Sequence, residues 1–319
     1  MRLAVIVPCY NEEAAIADVV RGFQRHLPEA PIYVYDNNST DKTQEVARAA
    51  GAIVRREPLR GKGNVLRRMF ADVEADAYIL VDGDATYDPT IARAMVELLQ
   101  SENLDMVVAA RDAVDAKAAY RSGHQLGNRV LTGAVAWLFG DRFDDMLSGY
   151  RVFSRRFVRS FPALATGFET ETELTVHALT LRMPIAEVRA PYFDRPAGSV
   201  SKLKTYRDGV RILVTIGNLL RRERPVLFFG TLGGVLALLA VILSVPLFKT
   251  YMETGLVPRF PTAILAAAMM ILAVLLMTVG LILENVAIAR REAKRLAYLQ
   301  YESPGETARR DGVSGQAAA

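Results

Sequence analysis

Two stretches of this chain carry no charge at all, and they limit what it can fold into. They are residues 226–248, VLFFGTLGGVLALLAVILSVPLF, and residues 262–283, TAILAAAMMILAVLLMTVGLIL. As helices rising about 1.5 Å per residue, each is long enough to cross roughly 30 Å of hydrocarbon. Core helices of soluble folds rarely run so far without a charge. Arg221, Arg222 and Arg224 precede the first run, and Arg290, Arg291, Lys294 and Arg295 follow the second. Between them stand only Lys249, Glu253 and Arg259. The positive-inside rule then places both ends of the pair in the cytoplasm and the short loop outside. The opening MRLAVIVPCYNEE is apolar too briefly for a secretory leader, which agrees with a cytoplasmic N-terminal part. The expected location is the cytoplasmic membrane, with two spans.

Just ahead of the first run lies KLKTYRDGVRILVTIGNLLRR, residues 202–222. Leu203, Tyr206, Val210, Leu213, Gly217 and Leu220 fall at helical spacing, and Lys204, Arg207, Arg211, Asn218 and Arg222 take another face. A basic amphipathic helix of this kind lies along lipid headgroups. The same spacing also suits an ordinary surface helix packed on a soluble domain. The tail after about Ser303 is small and polar, and is expected to be disordered.

Residues 1–200 alternate between strand-like and helical patterns. The strands are expected at 3–8, 32–36, 52–56, 78–82 and 106–110, with helices at 13–26, 41–50, 62–75 and 89–100. Such alternation gives an α/β fold, a mostly parallel sheet with helices on both faces. Ligands of such sheets sit at the carboxyl ends of the strands. The polar clusters fall there: PCYNEE, DNNSTD and DGDATYD, with Arg111 after the fifth strand. No GxGxxG, GxxxxGK[ST] or GxSxG follows a strand. The single cysteine, Cys9, excludes an intrachain disulfide and a cysteine zinc site. His26, His124 and His177 are far apart, so a zinc hydrolase is not expected.

YILVDGDATYDP, residues 78–89, carries the sharpest chemistry. Asp82 and Asp84 share a face if the chain stays extended, and two carboxylates that close need a cation between them. Oxygen ligands suit Mg2+ or Mn2+, which take their remaining ligands from water and substrate phosphates. Asp88 before Pro89 reads as a helix N-cap. Arg111, Arg121, Arg129, Arg151, Arg195 and Lys202 are cations suited to a second anion, and Arg195 and Lys202 stand close to the expected headgroup plane.

The ordered set of motifs resembles family 2 glycosyltransferases of the GT-A fold, and within them the polyprenyl-phosphate, dolichol-phosphate-mannose-synthase-like branch. IVPCYNEE, VYDNNSTDKT, RGKGNVLRRMF, VDGDATYDP, DMLSGYRVFSRR, GFETETEL and DRPAGSVSK carry the resemblance through residues 3–204. It implies an inverting transfer of one sugar from a UDP- or GDP-linked hexose or N-acetylhexosamine to a polyprenyl phosphate, for cell-envelope glycan synthesis. Pro8, Tyr10, Glu12 and Asp36 would contact base and ribose, and Lys62 would lie near the nucleotide. Asp82 and Asp84 would hold Mg2+ or Mn2+ on the diphosphate. Arg111, Ser148, Arg151, Arg195 and Lys202 would receive phosphate, chiefly that of the lipid. Asp145 and Glu173, with Asp84, would stand near the reacting sugar.

Three departures stand out. Asn37 and Asn38 replace the Asp-Gly of the usual DDGSTD, Thr86 replaces a common glutamine, and QxxRW is missing. On this reading the chain divides into a catalytic domain at 1–201, a juxtamembrane helix at 202–224, spans at 225–248 and 262–284 around a loop at 249–261, and a basic helix and tail at 285–319. The bilayer is a partner, nucleic acid is not, and Gly230, Gly233 and Gly234 permit helix association into a homo-oligomer. A hydroxyl acceptor on another lipid or glycan, or a non-catalytic membrane sensor of sugar nucleotides, are the competing readings.

Overall fold

The computed structural model describes residues 1–113, 132–133, 135–137, 139, 144–165, 167, 169–194, 205–307 and 310. Arg121, Arg129, Arg195 and Lys202 lie outside the described residues. The chain forms two compact units, Met1–Gly209 with Lys294–Ala319, and Val210–Ala293.

The first unit is built on seven strands: β1 (Leu3–Cys9), β2 (Ile32–Asp36), β3 (Ile53–Arg56), β4 (Ala77–Leu80), β5 (Met106–Ala113), β6 (Arg151–Ser154) and β7 (Ile185–Tyr192). Their order across the sheet is β3-β2-β1-β4-β6-β5-β7. β1 pairs in parallel with β2 and β4, β2 with β3, and β5 with β7, while β6 runs antiparallel to both β4 and β5. Six strands therefore end on one edge, and β6 begins there. The central strands are apolar throughout, as expected where helices cover both faces: Val5, Ile6, Val7, Val34, Ile79 and Val107 are fully buried.

Helices α1 (Ile16–His26), α2 (Thr43–Ala49), α3 (Lys62–Asp72), α4 (Ala92–Ser101), α5 (Arg155–Ser160) and α6 (Thr170–Thr180) surround the sheet. α1 buries Ile16, Val19, Val20 and Phe23, one stripe at helical spacing. The strands and helices expected through residue 110 are present within a few residues. β6 and β7 were not anticipated. The tail also differs from expectation at its start. Ser303 and Pro304 are buried, 304–307 form a helical turn, and the Gly305 N–H donates to Asn103 Oδ1 at 3.1 Å.

The second unit holds most of α7 (Thr205–Glu223), all of α8 (Pro225–Thr254) and the greater part of α9 (Phe260–Leu299). α8 and α9 are long and apolar enough to cross a membrane, and only 11% and 17% of their most apolar windows are buried. Core helices of a soluble protein would bury far more. A Cβ on Gly233 would come within 2.9 Å of the Ala273 carbonyl, so this glycine lets the two helices touch backbone to backbone. Gly230 and Gly234 face open space by the same test.

Candidate functional site

The carboxyl edge of the sheet gathers the polar clusters. β4 and β6 pair with Leu80 opposite Arg151, so two residues further along Asp82 comes opposite Gly149. A Cβ on Gly149 would fall on the Asp82 carboxylate. The glycine admits that carboxylate, and its N–H donates to the Tyr87 hydroxyl at 2.8 Å. The other oxygen of Asp82, Oδ1, accepts from Lys62 Nζ at 2.6 Å, and the same ammonium lies 2.5 Å from Glu171 Oε1. Burial works against the charge on Lys62, but Asp82 and Glu171 outweigh it and raise its pKa.

After Asp82 the chain does not stay extended. It turns through Gly83 and Asp84, and Ala85 takes a left-handed φ of 57°. Asp82 and Asp84 therefore do not share a strand face, as extended spacing would require. The buried Asp84 accepts from the Thr86 hydroxyl at 2.7 Å, and the Thr86 carbonyl accepts from the Phe193 N–H at 2.9 Å. Thr86 thus orients the second carboxylate and ties its turn to the end of β7. Asp88 caps the following 3-10 turn through the Thr90 N–H at 2.9 Å.

Among the described residues, no three His, Cys, Asp or Glu side chains converge into a protein-only metal cage. Two carboxylates at a strand edge instead fit a hard divalent cation that keeps waters and phosphate oxygens as its remaining ligands.

Along the same edge, Arg111 grips Asp145 with both arms of its guanidinium, Nε to Oδ2 at 2.6 Å and Nη2 to Oδ1 at 2.8 Å. Its guanidinium also lies 5.5 Å from the ring centre of Tyr192. Burial pushes the Asp145 pKa up, but Arg111 overcomes it and holds the carboxyl below its ordinary value. On the β1–β2 side of the edge, Pro8 lies near the end of β1, Tyr10 follows the strand and is exposed, and the Glu12 N–H donates to Thr43 Oγ1 at 2.9 Å. Asp36 is fully buried and accepts from the Ser39 N–H at 3.2 Å and from Gln44 Nε2 at 2.8 Å.

Residues 4–160 match the family model described as Glycosyl transferase family 2. Glycosyltransferase AglJ of Haloferax volcanii is 34% identical over 72% of this chain and 76% of its own. The chain belongs to glycosyl transferase family 2. A dolichyl-phosphate hexose transferase of the same organism is 27% identical over 70% of this chain and 95% of its own. Among solved structures, glucosyl-3-phosphoglycerate synthase of Mycobacterium tuberculosis with Mn2+, UDP-glucose and phosphoglyceric acid superimposes with a TM-score of 0.54. It is 26% identical over 69% of this chain and 78% of that one. The sheet is that of a GT-A-like glycosyltransferase.

Four residues of this glycosyltransferase are placed otherwise than expected. Asp36, expected against base and ribose, is fully buried and holds the turn after β2 through Ser39 and Gln44. Arg151 is fully buried: Nε donates to the Ser148 carbonyl at 3.0 Å, Nη1 to Thr175 Oγ1 at 2.9 Å and Nη2 to the Met146 carbonyl at 2.5 Å. Ser148, also fully buried, donates to the Ala109 carbonyl at 2.6 Å. Both side chains hold the 146–151 segment in shape and do not present themselves to a phosphate. Glu173 accepts from the Leu164 and Ala165 N–H groups at 3.0 and 2.8 Å, so it braces a loop. The carboxylate of that helix that reaches the Lys62–Asp82 pair is Glu171, which the sequence reading passed over.

Proposed function

We propose that this glycosyltransferase moves one sugar from a nucleoside-diphospho-sugar to a polyprenyl phosphate, with inversion at the anomeric carbon. An acceptor phosphate oxygen bonds to that carbon as the carbon–oxygen bond to the diphosphate breaks, and the electron pair leaves with the nucleoside diphosphate. Mg2+ or Mn2+, held by Asp82 and Asp84, would supply positive charge to the departing diphosphate. Lys62 stands beside it as a fixed cation. Pro8, Tyr10 and Glu12 line the nucleotide side, and Asp36 shapes the turn next to them. Arg111, with Arg195 and Lys202, receives the acceptor phosphate. Asp145 sets the direction of Arg111.

One observation favours a phosphate acceptor over a hydroxyl. A hydroxyl needs a general base, and the two expected carboxylates are engaged: Asp145 by Arg111, and Glu173 by backbone N–H groups. A phosphate monoester, with a second pKa of about 6, is already largely dianionic at neutral pH and needs no base. The apolar pair α8 and α9, and a relative named for dolichyl phosphate, support a lipid carrying that phosphate. The cationic flanks support a catalytic unit and both chain ends on the cytoplasmic face.

The test is incubation of membranes bearing the full chain with UDP- and GDP-sugars and a polyprenyl phosphate, with lipid products read by mass spectrometry. The expected product is a sugar linked through phosphate, absent with Asp84→Ala. A product linked through a lipid or glycan hydroxyl would overturn the acceptor, and full activity in Asp84→Ala would overturn the metal site.

A further inference from the structure

Asn37 stands where the family motif carries a second acid, and its surroundings give a reason. Its own N–H donates to the Cys9 carbonyl at 2.8 Å, which fixes it to the end of β1. The side chain is nearly buried. Nδ2 donates to the Glu57 carbonyl at 3.1 Å and the Leu59 carbonyl at 2.7 Å, while Oδ1 accepts from the Gly61 N–H at 2.7 Å. Two acceptors on one side and a donor on the other determine which end of the amide is nitrogen. Only an amide can serve all three groups, because an ionised carboxylate has no proton to give. An acid here would withdraw the Asn37 donor from both carbonyls, leaving Glu57 to Asn38 Nδ2 at 3.3 Å, and would press a carboxylate oxygen against them.

The segment held in this way leads into the site. Gly61 has φ of 120°, a region open to glycine, and it is the N-cap of α3. The next residue is Lys62, whose ammonium bridges Asp82 and Glu171. Asn38 adds a bond from Nδ2 to the Pro58 carbonyl at 2.9 Å, and the Leu59 N–H donates to Glu57 Oε1 at 2.7 Å. The loop is therefore closed on itself and anchored to β2 through position 37.

We propose that Asn37 is a positioning residue that fixes the 57–61 loop, and through it the Lys62 ammonium, for the donor diphosphate. Its amide is spent on that task and does not read the base. The functional half of this inference rests on the placement of the donor at Lys62 and Asp82.

The experiment compares the full chain in nanodiscs with Asn37→Asp, Asn37→Ala, Lys62→Met and the Asn37→Ala/Lys62→Met pair. Hydrogen exchange over 57–62, the thermal midpoint, and binding of UDP and GDP in the presence of Mn2+ are read for each. In both Asn37 variants exchange over 57–62 should accelerate, and affinity for the nucleotide that the wild type prefers should fall by about tenfold, the scale of a lost buried hydrogen bond. The melting midpoint should fall as well, because groups buried against Asn37 lose their partner, so affinity is read at a temperature where every variant is folded. Asn37→Ala separates loss of the amide from the added charge of Asn37→Asp. In the Lys62→Met background Asn37→Ala should cost almost nothing more, since the two act through one group. Unchanged exchange over 57–62 would overturn the clamp. Additive losses in the double variant would overturn its action through Lys62. Unchanged nucleotide affinity in Lys62→Met, or binding of neither nucleotide by the wild type, would overturn the donor placement itself.

Discussion

Glu171 and Glu173 belong to one helix and differ by two positions, which turns them roughly 200° apart around its axis. One meets Lys62; the other meets the backbone of 164–165. GFETETEL contains both, and nothing in its spacing tells which face looks toward the sheet edge. Neighbouring buried positions give no contrast, because α6 is buried nearly all round. The structure separates them, and so do the expected effects of substitution. Glu171→Gln should lower turnover by about tenfold or more, through a displaced Lys62, with little change in melting. Glu173→Gln should cost about 1–2 kcal/mol of stability by weakening its acceptance from two N–H groups, with turnover per folded molecule retained. Assay and calorimetry on the same preparations distinguish the two. Ser148 and Arg151 carry a similar lesson: the family resemblance assigns both to phosphate. Burial, which no local pattern encodes, turns them inward.

At the level of elements, β1, β2, β4 and β5 were legible because each holds a short apolar run that ends in polar residues, β3 (IVRR) because it falls in the strand–helix alternation, and the helices between them bury regular stripes. β6 and β7 were not. RVFS is only four residues long and antiparallel to its neighbours, and IAEVRAPY forms an edge strand of mixed polarity. β6 matters to the site, because its pairing with β4 is what brings Gly149 against Asp82. Gly149→Ala should therefore act on Asp82 before it acts on the fold. With Asp82 holding the metal as proposed, half-maximal activity should need at least about tenfold more Mn2+, of the order caused by disturbing a metal ligand's support. Titration of activity against Mn2+ checks it, with circular dichroism confirming an intact sheet. The i, i+2 reading of Asp82 and Asp84 failed for a related reason: Gly83 and the left-handed Ala85 are turn geometry, invisible in a pattern that resembles a continuing strand.

Across the whole molecule, buried groups link acidity to stability. His177 is buried against Phe157 and Phe161, with Nε2 3.0 Å from Ser160 Oγ. Burial, and then Lys294, hold its pKa down to about 3 from the ordinary 6.5. The folded protein keeps this ring neutral while the unfolded chain protonates it, so the unfolded state binds more protons as pH falls below 6.5. Stability from this group is thus complete above about pH 6.5 and is lost on acidification toward pH 3, by up to about 1.4 kcal/mol per pH unit. The melting midpoint of His177→Gln should fall less between pH 7 and pH 5 than that of the wild type; parallel pH profiles would remove His177 as the cause.

The catalytic unit closes with a residue that comes late in the chain. Asp105, at the foot of β5, is fully buried and accepts from Ser154 Oγ at 2.6 Å and from Arg156 Nε at 2.5 Å. It accepts also from the Tyr298 hydroxyl at 2.8 Å, across 193 positions of sequence. Burial, and then Asp105, push the Tyr298 pKa up to about 12, so the proton stays on the tyrosine and the bond keeps its direction. During synthesis, α8 and the apolar run of α9, residues 262–283, are made before Tyr298, which stands near the end of α9. The buried Asp105–Tyr298 bond, which closes the unit that carries the sheet, can therefore form only after both apolar runs have been made.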